Sequence, residues 1–354
     1  LVQDVRFALR TLRKRPRFGI LAIATLGLGI GATTAVFSAL NAVLLRPLPF
    51  HEPGRLMRVS LLMPESVGLN DDGTRRQMVW SYPKYRLFRE SQDIFESSAT
   101  YFRREYSLTD VDRPERIPAE VVSSDYFSVL GIEAELGRAF VPRSDDTPGA
   151  VPEMVVSHGL WARKFGADPS ILGRTIHLNG TAYTVVGVMP PGTGGLRGAP
   201  EIWVPNNTID PRILASNAHQ FHVVARLRPT LTYEQAASVM GALGGQIDEA
   251  YPDPGGAGTW SATARPLDEY RVGSTVRTSV MLLFIGAGLV LLTACVNVAG
   301  LVLALSESRR RELGTRLALG SGRRRLVRQL LTESLVLSTA GGALGIAIAV
   351  AGVK

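Results

Sequence analysis

The chain has 354 residues, of which 45% are hydrophobic and 20% charged, and a net charge of +8. Three stretches contain no Asp, Glu, Lys, Arg or His: residues 18–45, 278–306 and 334–353. Each has about the 20 apolar residues that cross a bilayer, which excludes a purely soluble protein. The single cysteine, Cys295, excludes an intramolecular disulfide and a cysteine-rich zinc site.

Basic residues cluster beside the apolar stretches. Residues 1–17 carry a net charge of +5 and residues 307–328 a net charge of +6, whereas residues 46–277 carry −3. Because short basic segments stay in the cytosol, the N-terminus and residues 307–328 are predicted to be cytosolic and residues 46–277 extracytoplasmic. Nucleic-acid binding is not expected, since no basic face interleaved with aromatic residues occurs outside these flanks.

Residues 1–17 place apolar side chains at helical spacing and arginines on the other side. This pattern predicts a cytosolic amphipathic helix on the membrane surface, with a merely basic, orienting tail as the alternative. A cleaved signal peptide is disfavoured because its apolar region would run for only about 7–15 residues.

Small residues line the first and third predicted spans, residues 18–45 and 329–354. Gly27 and Gly31 form a G-x-x-x-G pattern, and Gly341 and Gly345 offer a similar surface. Small residues let helices approach closely in a bilayer, so these four glycines are predicted to pack helices together. No charged path crosses the second span, residues 278–306, or its neighbours, which argues against an ion gradient as the energy source.

The segment 46–277 is predicted to be a mixed α/β domain of two subdomains. The expected strands are residues 55–62, 116–122, 154–157, 174–178, 183–189 and 259–267. Asn179-Gly180 indicates a hairpin, and Thr232 is expected to cap a helix that runs to residue 251. A further capped helix is expected to begin at Ser81 and to include Ile94 and Phe95.

No G-x-S-x-G, H-E-x-x-H or Walker A sequence occurs in the chain, so an enzyme is not expected. His219 and His222 are predicted to lie in one strand, where residues three apart face opposite sides and cannot share a metal ion. No metal or cofactor site is therefore predicted.

The cytosolic segment 307–328 contains the pairs Glu307 with Arg311 and Glu312 with Arg316, which support a helix that continues the second span. Arginines beside an apolar stripe suit docking on a soluble partner, although binding of anionic lipid headgroups explains the spacing equally well. The residues predicted to dock are Glu307, Arg309, Arg310, Arg311, Glu312, Arg316, Leu317, Leu319 and Gly320.

Several motifs resemble the MacB/FtsX-type ABC transporter permeases, especially the duplicated orphan permeases. Residues 26–49 (LGLGIGATTAVFSALNAVLLRPLP) are similar to the family's first span, and residues 309–320 (RRRELGTRLALG) with 323–333 (RRRLVRQLLTE) to its FtsX-like signature. The motifs that resemble the MacB-like periplasmic core domain are residues 161–165, 173–174, 178–180, 183–191 and 202–205. The sequence departs from the family at Thr230, where a glycine usually follows the proline.

The resemblance implies a membrane α-helical protein with three spans present and a fourth missing, so that the chain is expected to be a fragment. It implies a non-catalytic permease subunit in the bacterial inner membrane that couples ATP hydrolysis on a separate cytosolic ABC ATPase to motions of the extracytoplasmic domain. ATP and magnesium would bind that partner and no cofactor would bind this chain. A second permease copy or half, a periplasmic adaptor and membrane lipid are further expected partners.

The function implied is export, of the efflux type for antibiotics or peptides or of the lipoprotein type. The alternative is a membrane-anchored sensor whose outer domain binds a ligand and signals through a cytosolic protein. A tethered hydrolase is a third interpretation, which the lack of catalytic motifs opposes. The sequence leaves open the substrate and its direction of movement.

Overall fold

A computed structural model describes residues 6, 10, 16–41, 48–109, 114–142, 151–252, 258–271, 274–308 and 323–352. The chain forms two compact units, Leu1–Arg46 with Val272–Lys354, and Pro47–Arg271. The described helices are α1 (Pro16–Leu40), α2 (Tyr82–Glu90), α3 (Tyr126–Leu130), α4 (His158–Phe165), α5 (Pro211–Ala215), α6 (Tyr233–Ala250), α7 (Leu267–Arg271), α8 (Ser274–Ser308) and α9 (Arg323–Gly352).

Three of these helices, α1, α8 and α9, are long and apolar enough to cross a membrane. Their apolar parts are Pro16–Ser38, Thr278–Ala304 and Leu331–Ala351, where the charge-free stretches of the sequence predict them. Of the amphipathic helix predicted over residues 1–17, only residues 6, 10, 16 and 17 are described, and all four are helical. The rest of that prediction lies outside the described residues.

The second unit is built on one sheet of eleven described strands. The strands are β1 (Leu56–Leu62), β2 (Gln77–Met78), β3 (Phe95–Leu108), β4 (Glu115–Val122), β5 (Leu136–Gly137), β6 (Glu153–Val156), β7 (Thr175–Leu178), β8 (Thr181–Val188), β9 (Ile202–Pro205), β10 (His222–Leu227) and β11 (Ser261–Pro266). They follow the order β11-β1-β10-β3-β4-β9-β6-β8-β5, with β2 beside β1 and β7 beside β3 and β8. Where the sequence predicts two subdomains, the structure joins the strands of both in this sheet.

The sheet buries apolar side chains on both faces. Successive residues of a strand point to opposite faces, so Val121 and Val122 of β4 belong to two different apolar clusters. One cluster contains Trp80, Phe88 and Met240, and the other contains Tyr126, Phe127 and Trp203. The α/β character predicted for this domain is confirmed.

The predicted hairpin and the predicted Thr232 cap are both present. Asn179 and Gly180 have φ values of 52° and 81°, the paired positive angles of the tight turn that matches strand twist. The Thr232 hydroxyl accepts from the Gln235 N–H while the Gln235 side chain accepts from the Thr232 N–H, which closes a capping box on α6.

The helix predicted from Ser81 is shorter than expected. It ends at Glu90, and Phe95 is instead the first residue of the 14-residue strand β3. The Gln92 side chain accepts a hydrogen bond from the Phe95 N–H at 2.7 Å, at the point where the extended segment begins. The Ser81 side chain caps no helix N–H and instead lies 3.2 Å from the Asn217 side-chain oxygen. The strand assigned to both histidines begins only at His222, so His219 lies before it.

Candidate functional site

The four glycines predicted to pack helices lie where α1 meets α9. A Cβ atom on Gly345 would lie 3.1 Å from the Gly27 carbonyl oxygen, and one on Gly31 would lie 3.0 Å from the Gly345 carbonyl oxygen. Such distances are shorter than ordinary van der Waals contacts, so the two backbones touch only because these positions carry no side chain.

Large apolar side chains fill the space beside these glycines. A Cβ on Gly27 would lie 2.7 Å from Leu344 Cδ2, and one on Gly341 would lie 2.7 Å from Leu26 Cβ. Each helix therefore places leucine against a glycine of the other. The close packing is reciprocal, and either helix loses it when a glycine gains a side chain.

A second face of α1 contacts α8. A Cβ on Gly29 would lie 3.2 Å from Leu291 Cδ1, and the Thr33 hydroxyl lies 2.8 Å from the Gly29 carbonyl oxygen and 3.3 Å from that of Ala287. The Phe37 and Phe284 rings are 6.2 Å apart. The first span is thus the central helix of the unit, with both other spans against it.

The residues predicted to dock on a cytosolic partner are not described by the structure. Glu307 falls within α8, but its side chain is not described, and Arg309, Arg310, Arg311, Glu312, Arg316, Leu317, Leu319 and Gly320 lie outside the described residues. Their docking role remains a prediction.

In the second unit, the segment that follows the first span is fastened by a buried arginine. Arg226 of β10 is 5% exposed, and its guanidinium donates to the Val129 carbonyl oxygen at 2.9 and 2.6 Å and to the His51 carbonyl oxygen at 2.9 Å. The His51 N–H in turn donates to the Leu130 carbonyl at 3.1 Å. Burial and the charge of Arg55 lower the pKa of Arg226, although an arginine stays protonated throughout the physiological range.

The close approach of the His51 segment to the end of α3 also requires a glycine. Gly131 ends α3 with a φ of 67°, and a Cβ there would lie 2.4 Å from His51 Cβ. A side chain at residue 131 would therefore push the His51 segment away from α3, on top of the strain of a positive φ.

The segment that precedes the second span packs at the same place. Helix α7 contacts β1 and the turn Pro53–Arg55, and its first residue, Leu267, is 5% exposed. Arg55 donates to the Leu227 carbonyl oxygen at 2.8 Å and pairs with Glu52 and Glu96, each at 2.5 Å. The segment at which the chain enters this unit and the helix at which it leaves are therefore in contact with each other.

A buried carboxylate holds the loop between β8 and β9. Glu120 is 1% exposed and accepts from the Tyr126 hydroxyl at 2.7 Å and from the Arg197 N–H at 2.6 Å. A Cβ on Gly195 would lie 2.4 Å from a Glu120 carboxylate oxygen. Burial raises the pKa of Glu120, and burial with the neighbouring Glu120 raises the pKa of Tyr126.

The two histidines contact different aromatic residues. The His219 ring lies 5.0 Å from the Trp260 ring, whereas the His222 ring stacks on Tyr101 at 5.3 Å. Trp260 and Tyr101 belong to the clusters on the two different faces of the sheet. In the part of the chain that the structure describes, no group of three or more His, Cys, Asp or Glu side chains could hold a metal ion.

Two protein families match this chain. Residues 20–243 match the MacB-like periplasmic core domain, and residues 284–354 match the FtsX-like permease C-terminal domain. The chain belongs to the MacB/FtsX-type ABC transporter permease family. As a family member with three apolar helices, it is a membrane protein with an extracytoplasmic domain.

Curated relatives of this permease-family chain include proteins named for export. The macrolide export ATP-binding/permease protein MacB of Chromobacterium violaceum is 28% identical over 230 residues, which are 64% of this chain and 34% of MacB. The uncharacterized ABC transporter permease YknZ of Bacillus subtilis is 27% identical over 65% of this chain and 56% of YknZ. The chain thus spans about a third to about half of the length of these relatives.

Solved structures similar to this family member include two extracytoplasmic domains. The periplasmic region of MacB from Actinobacillus actinomycetemcomitans has 14% identity and a TM-score of 0.45, with 61% of this chain and 91% of that chain covered. The extracellular domain of YknZ from Gram-positive bacteria has 15% identity and a TM-score of 0.43, with 59% and 99% covered.

The buried charged groups of the extracytoplasmic domain were not predicted from the sequence. Arg226 and Glu120 lie in strands, where a charged residue ordinarily indicates a solvent-facing position. The signal that could have indicated Arg226 is the apolar surroundings of β10, since the residues of β10 that flank it are Ala225 and Leu227. No local signal separates Glu120 from an exposed glutamate.

Proposed function

We propose that this chain is the membrane-spanning permease part of an ABC transporter, in which a separate cytosolic ATPase moves the extracytoplasmic domain. Family membership supports the permease role, and two of the similar proteins carry the names export ATP-binding/permease protein and ABC transporter permease. ATP and magnesium bind the partner in this proposal, and this chain performs no catalysis.

The proposal rests on the contact between the two ends of the extracytoplasmic domain, which we call the junction: the segment 51–55 after the first span and the helix α7 before the second span. Arg226 ties the segment after the first span to α3 and β10, while α7, just before the second span, packs on the turn Pro53–Arg55. Hydrogen bonds buried in this way are electrostatically stronger than hydrogen bonds in water and hold the segment in place. A displacement of either span end is therefore passed to strands β1 and β10.

The proposed contact with the cytosolic ATPase is inferred from the sequence alone. The arginine-rich segment 307–328, which includes Arg309, Arg310, Arg311 and Arg316, is proposed to dock on the ATPase, with forked hydrogen bonds from arginine to carboxylates of the partner. ATP binding and hydrolysis then shift the spans as levers in a dimer of permease copies or halves. An export or lipoprotein-release type of transport, with a periplasmic adaptor as a further partner, fits this mechanism.

The proposed orientation places the N-terminus and residues 307–328 in the cytosol of a bacterial cell and residues 46–277 outside the inner membrane. It rests on the charge of +5 before the first span and of +6 between the second and third. Short basic segments resist translocation, whereas a long domain is translocated largely regardless of its charge.

The experiment compares affinity purifications of the full-length protein from membranes. In one variant Arg309, Arg310, Arg311 and Arg316 become Ala. In the matched control four exposed arginines of the extracytoplasmic domain become Ala, namely Arg86, Arg116, Arg212 and Arg228. An ABC ATPase is expected to co-purify with the parent and the control and to be lost from the first variant.

Two results would count against the proposal. If the folded, inserted parent carries no nucleotide hydrolase, the transporter loses its energy source and a ligand sensor becomes the better interpretation. If the ATPase stays bound to the first variant as well as to the control, the cytosolic arginines are not its docking segment.

A further inference from the structure

A cavity of about 480 Å³ opens in the extracytoplasmic domain beside β3. Its polar lining consists of side chains that donate hydrogen bonds, and no aspartate or glutamate of the described residues contributes to it. The lining residues are Phe102, Arg103, Arg104, Arg197, Ile209, Ile213, Gln220 and His222. Such a lining is typical of a site for an anion.

The cavity lies where one edge of β3 has no neighbouring strand in the described chain. β10 pairs with β3 only as far as Tyr101, and β7 pairs with it only at Leu108. Between these points Arg103 and Arg104 point to opposite faces of the sheet, because successive side chains alternate. Both line the gap, so the cavity receives positive charge from the two faces of the sheet.

His222 contributes a neutral donor to the cavity. Its Nδ1 lies 3.3 Å from Nη2 of Arg58, and since a guanidinium can only donate, Nδ1 accepts and the ring proton is on Nε2. Burial, followed by the charges of Arg58 and Arg197, lowers the pKa of His222 to about 3. The ring therefore remains a neutral Nε2–H donor at physiological pH.

Arg197 is held at the cavity by the backbone of its own loop. The Arg197 N–H donates to buried Glu120 at 2.6 Å, and the Leu196 N–H lies 3.2 Å from the Tyr126 hydroxyl oxygen. No carboxylate of the described chain lies within 4.0 Å of the Arg104 or Arg197 guanidinium. Arg103 has Glu105 at 3.8 Å, but both are more than half exposed, so that pairing is weak.

We propose that this cavity binds a ligand that carries a phosphoryl group. Arginine forks match the oxygens of a phosphoryl group, and three guanidiniums balance its double charge better than they would match a single carboxylate. Phe102, Ile209 and Ile213 would contact the apolar part of the ligand. A soluble phosphate ester and a phospholipid headgroup share this chemistry, and the site goes beyond the proposed coupling to an ATPase.

The test uses the full chain in neutral detergent micelles, titrated with glycerol 3-phosphate in a calorimeter. The parent is expected to bind one ester saturably. R104Q and R197Q should each weaken binding by about tenfold, as expected for the loss of a charge-assisted hydrogen bond. R104K, which keeps the charge but loses the fork, should weaken binding less than R104Q does. R86Q, which removes the same charge from an exposed position outside the cavity, should bind as the parent does.

Doped micelles distinguish the two sources of the phosphoryl group. If phosphatidic acid competes with the ester and phosphatidylcholine does not, the ligand is a lipid headgroup; if neither competes, it is a soluble ester. The proposal is overturned if the parent binds neither the ester nor phosphatidic acid. It is also overturned if R86Q weakens binding as much as R104Q, or if glutarate binds as tightly as the ester.

Discussion

At the scale of single residues, Arg226 shows how a charged side chain can fasten a segment of backbone. Its guanidinium is almost entirely buried and donates to the Val129 and His51 carbonyl oxygens. If the guanidinium is removed, these buried carbonyl oxygens are left without a hydrogen-bond donor. The resulting loss of folding free energy is larger than the net contribution of the hydrogen bonds to stability, because the buried acceptors are not solvated either.

The change Arg226→Met keeps much of the side-chain volume but removes the donors. We expect it to lower the free energy of unfolding of the extracytoplasmic domain by about 2–4 kcal/mol. Arg228→Met is the matched control, because Arg228 is half exposed and pairs only loosely with Asp93 at 3.5 Å; its effect should stay within about 0.5 kcal/mol. Denaturant unfolding of the full chain in micelles measures both, and equal effects would contradict the assignment.

Glu120 predicts a dependence of stability on pH. Burial holds its pKa above the ordinary value of 4.5, so the folded chain keeps the proton to higher pH than the unfolded chain. The stability gained from that proton is complete below pH 4.5 and is lost as the pH rises through the folded pKa. Relative to E120Q, which has no titratable group there, the parent should therefore become less stable as the pH rises above 4.5.

Unfolding curves of the parent and E120Q across this range test the sign. E90Q, at an exposed position on α2, is expected to follow the parent at every pH. A parent that gains stability over E120Q as the pH rises would mean that the hydrogen bonds from Tyr126 and Arg197 outweigh burial and lower the pKa of Glu120.

At the scale of elements, the hairpin of β7 and β8 and the start of α6 were predicted correctly, because a short sequence motif marks each of them. The positive φ angles at Asn179 and Gly180 and the capping box at Thr232 are encoded within four residues. The strand β3 was missed because the segment Arg103-Arg104-Glu105 has no alternation of apolar and polar residues, since both of its faces are exposed beside the cavity. The parallel pairs of β4 with β9 and of β6 with β8 join distant segments, and no local pattern encodes them.

The packing of α1 on α9 gives a prediction at this scale. Gly345→Leu places a side chain 3.1 Å from the Gly27 carbonyl oxygen and 2.8 Å from Ile30 Cβ, so the helices must separate. Gly342→Leu on the same helix is the control, since a Cβ there meets nothing within 4 Å in the described structure. We expect G345L alone to destabilise the helix pair, by about 1–3 kcal/mol.

Steric trapping or unfolding in mixed micelles measures the stability of the α1–α9 contact in the two variants. A loss confined to G345L would show that the contact in the structure is the one that holds the spans together. Equal behaviour of G345L and G342L would show that the glycines serve only the close approach to lipid or to another chain.

At the scale of the whole molecule, the sequence predicted the spans, because a run of uncharged residues long enough for a bilayer needs no tertiary information. It also predicted an outer domain between the first two spans, and family motifs identified its type. It did not predict that both ends of that domain meet at one place, since Arg226, His51 and Leu267 are brought together only by the order of strands β11, β1 and β10.

That shared junction gives the last prediction, which rests on the proposed function. Five flexible residues, Gly-Gly-Ser-Gly-Gly, inserted between Leu48 and Pro49 leave the Arg226 contacts intact but slacken the connection to the first span. The same insertion between Asp72 and Gly73, in an exposed turn, is the control. In the complex with its ATPase, nucleotide should change the amide hydrogen exchange of β1 and β10 in the parent and in the control.

The insertion after Leu48 should weaken this response while ATP hydrolysis continues, because only the connection through α7 to the second span is then unchanged. The junction transmits force only if its connections are short, because a slack linker absorbs the displacement of the span before it reaches the sheet. A response of β1 and β10 that the insertion leaves undiminished would mean that motion enters the domain only through α7 and the second span, and a matching insertion between Arg271 and Val272 would then remove it.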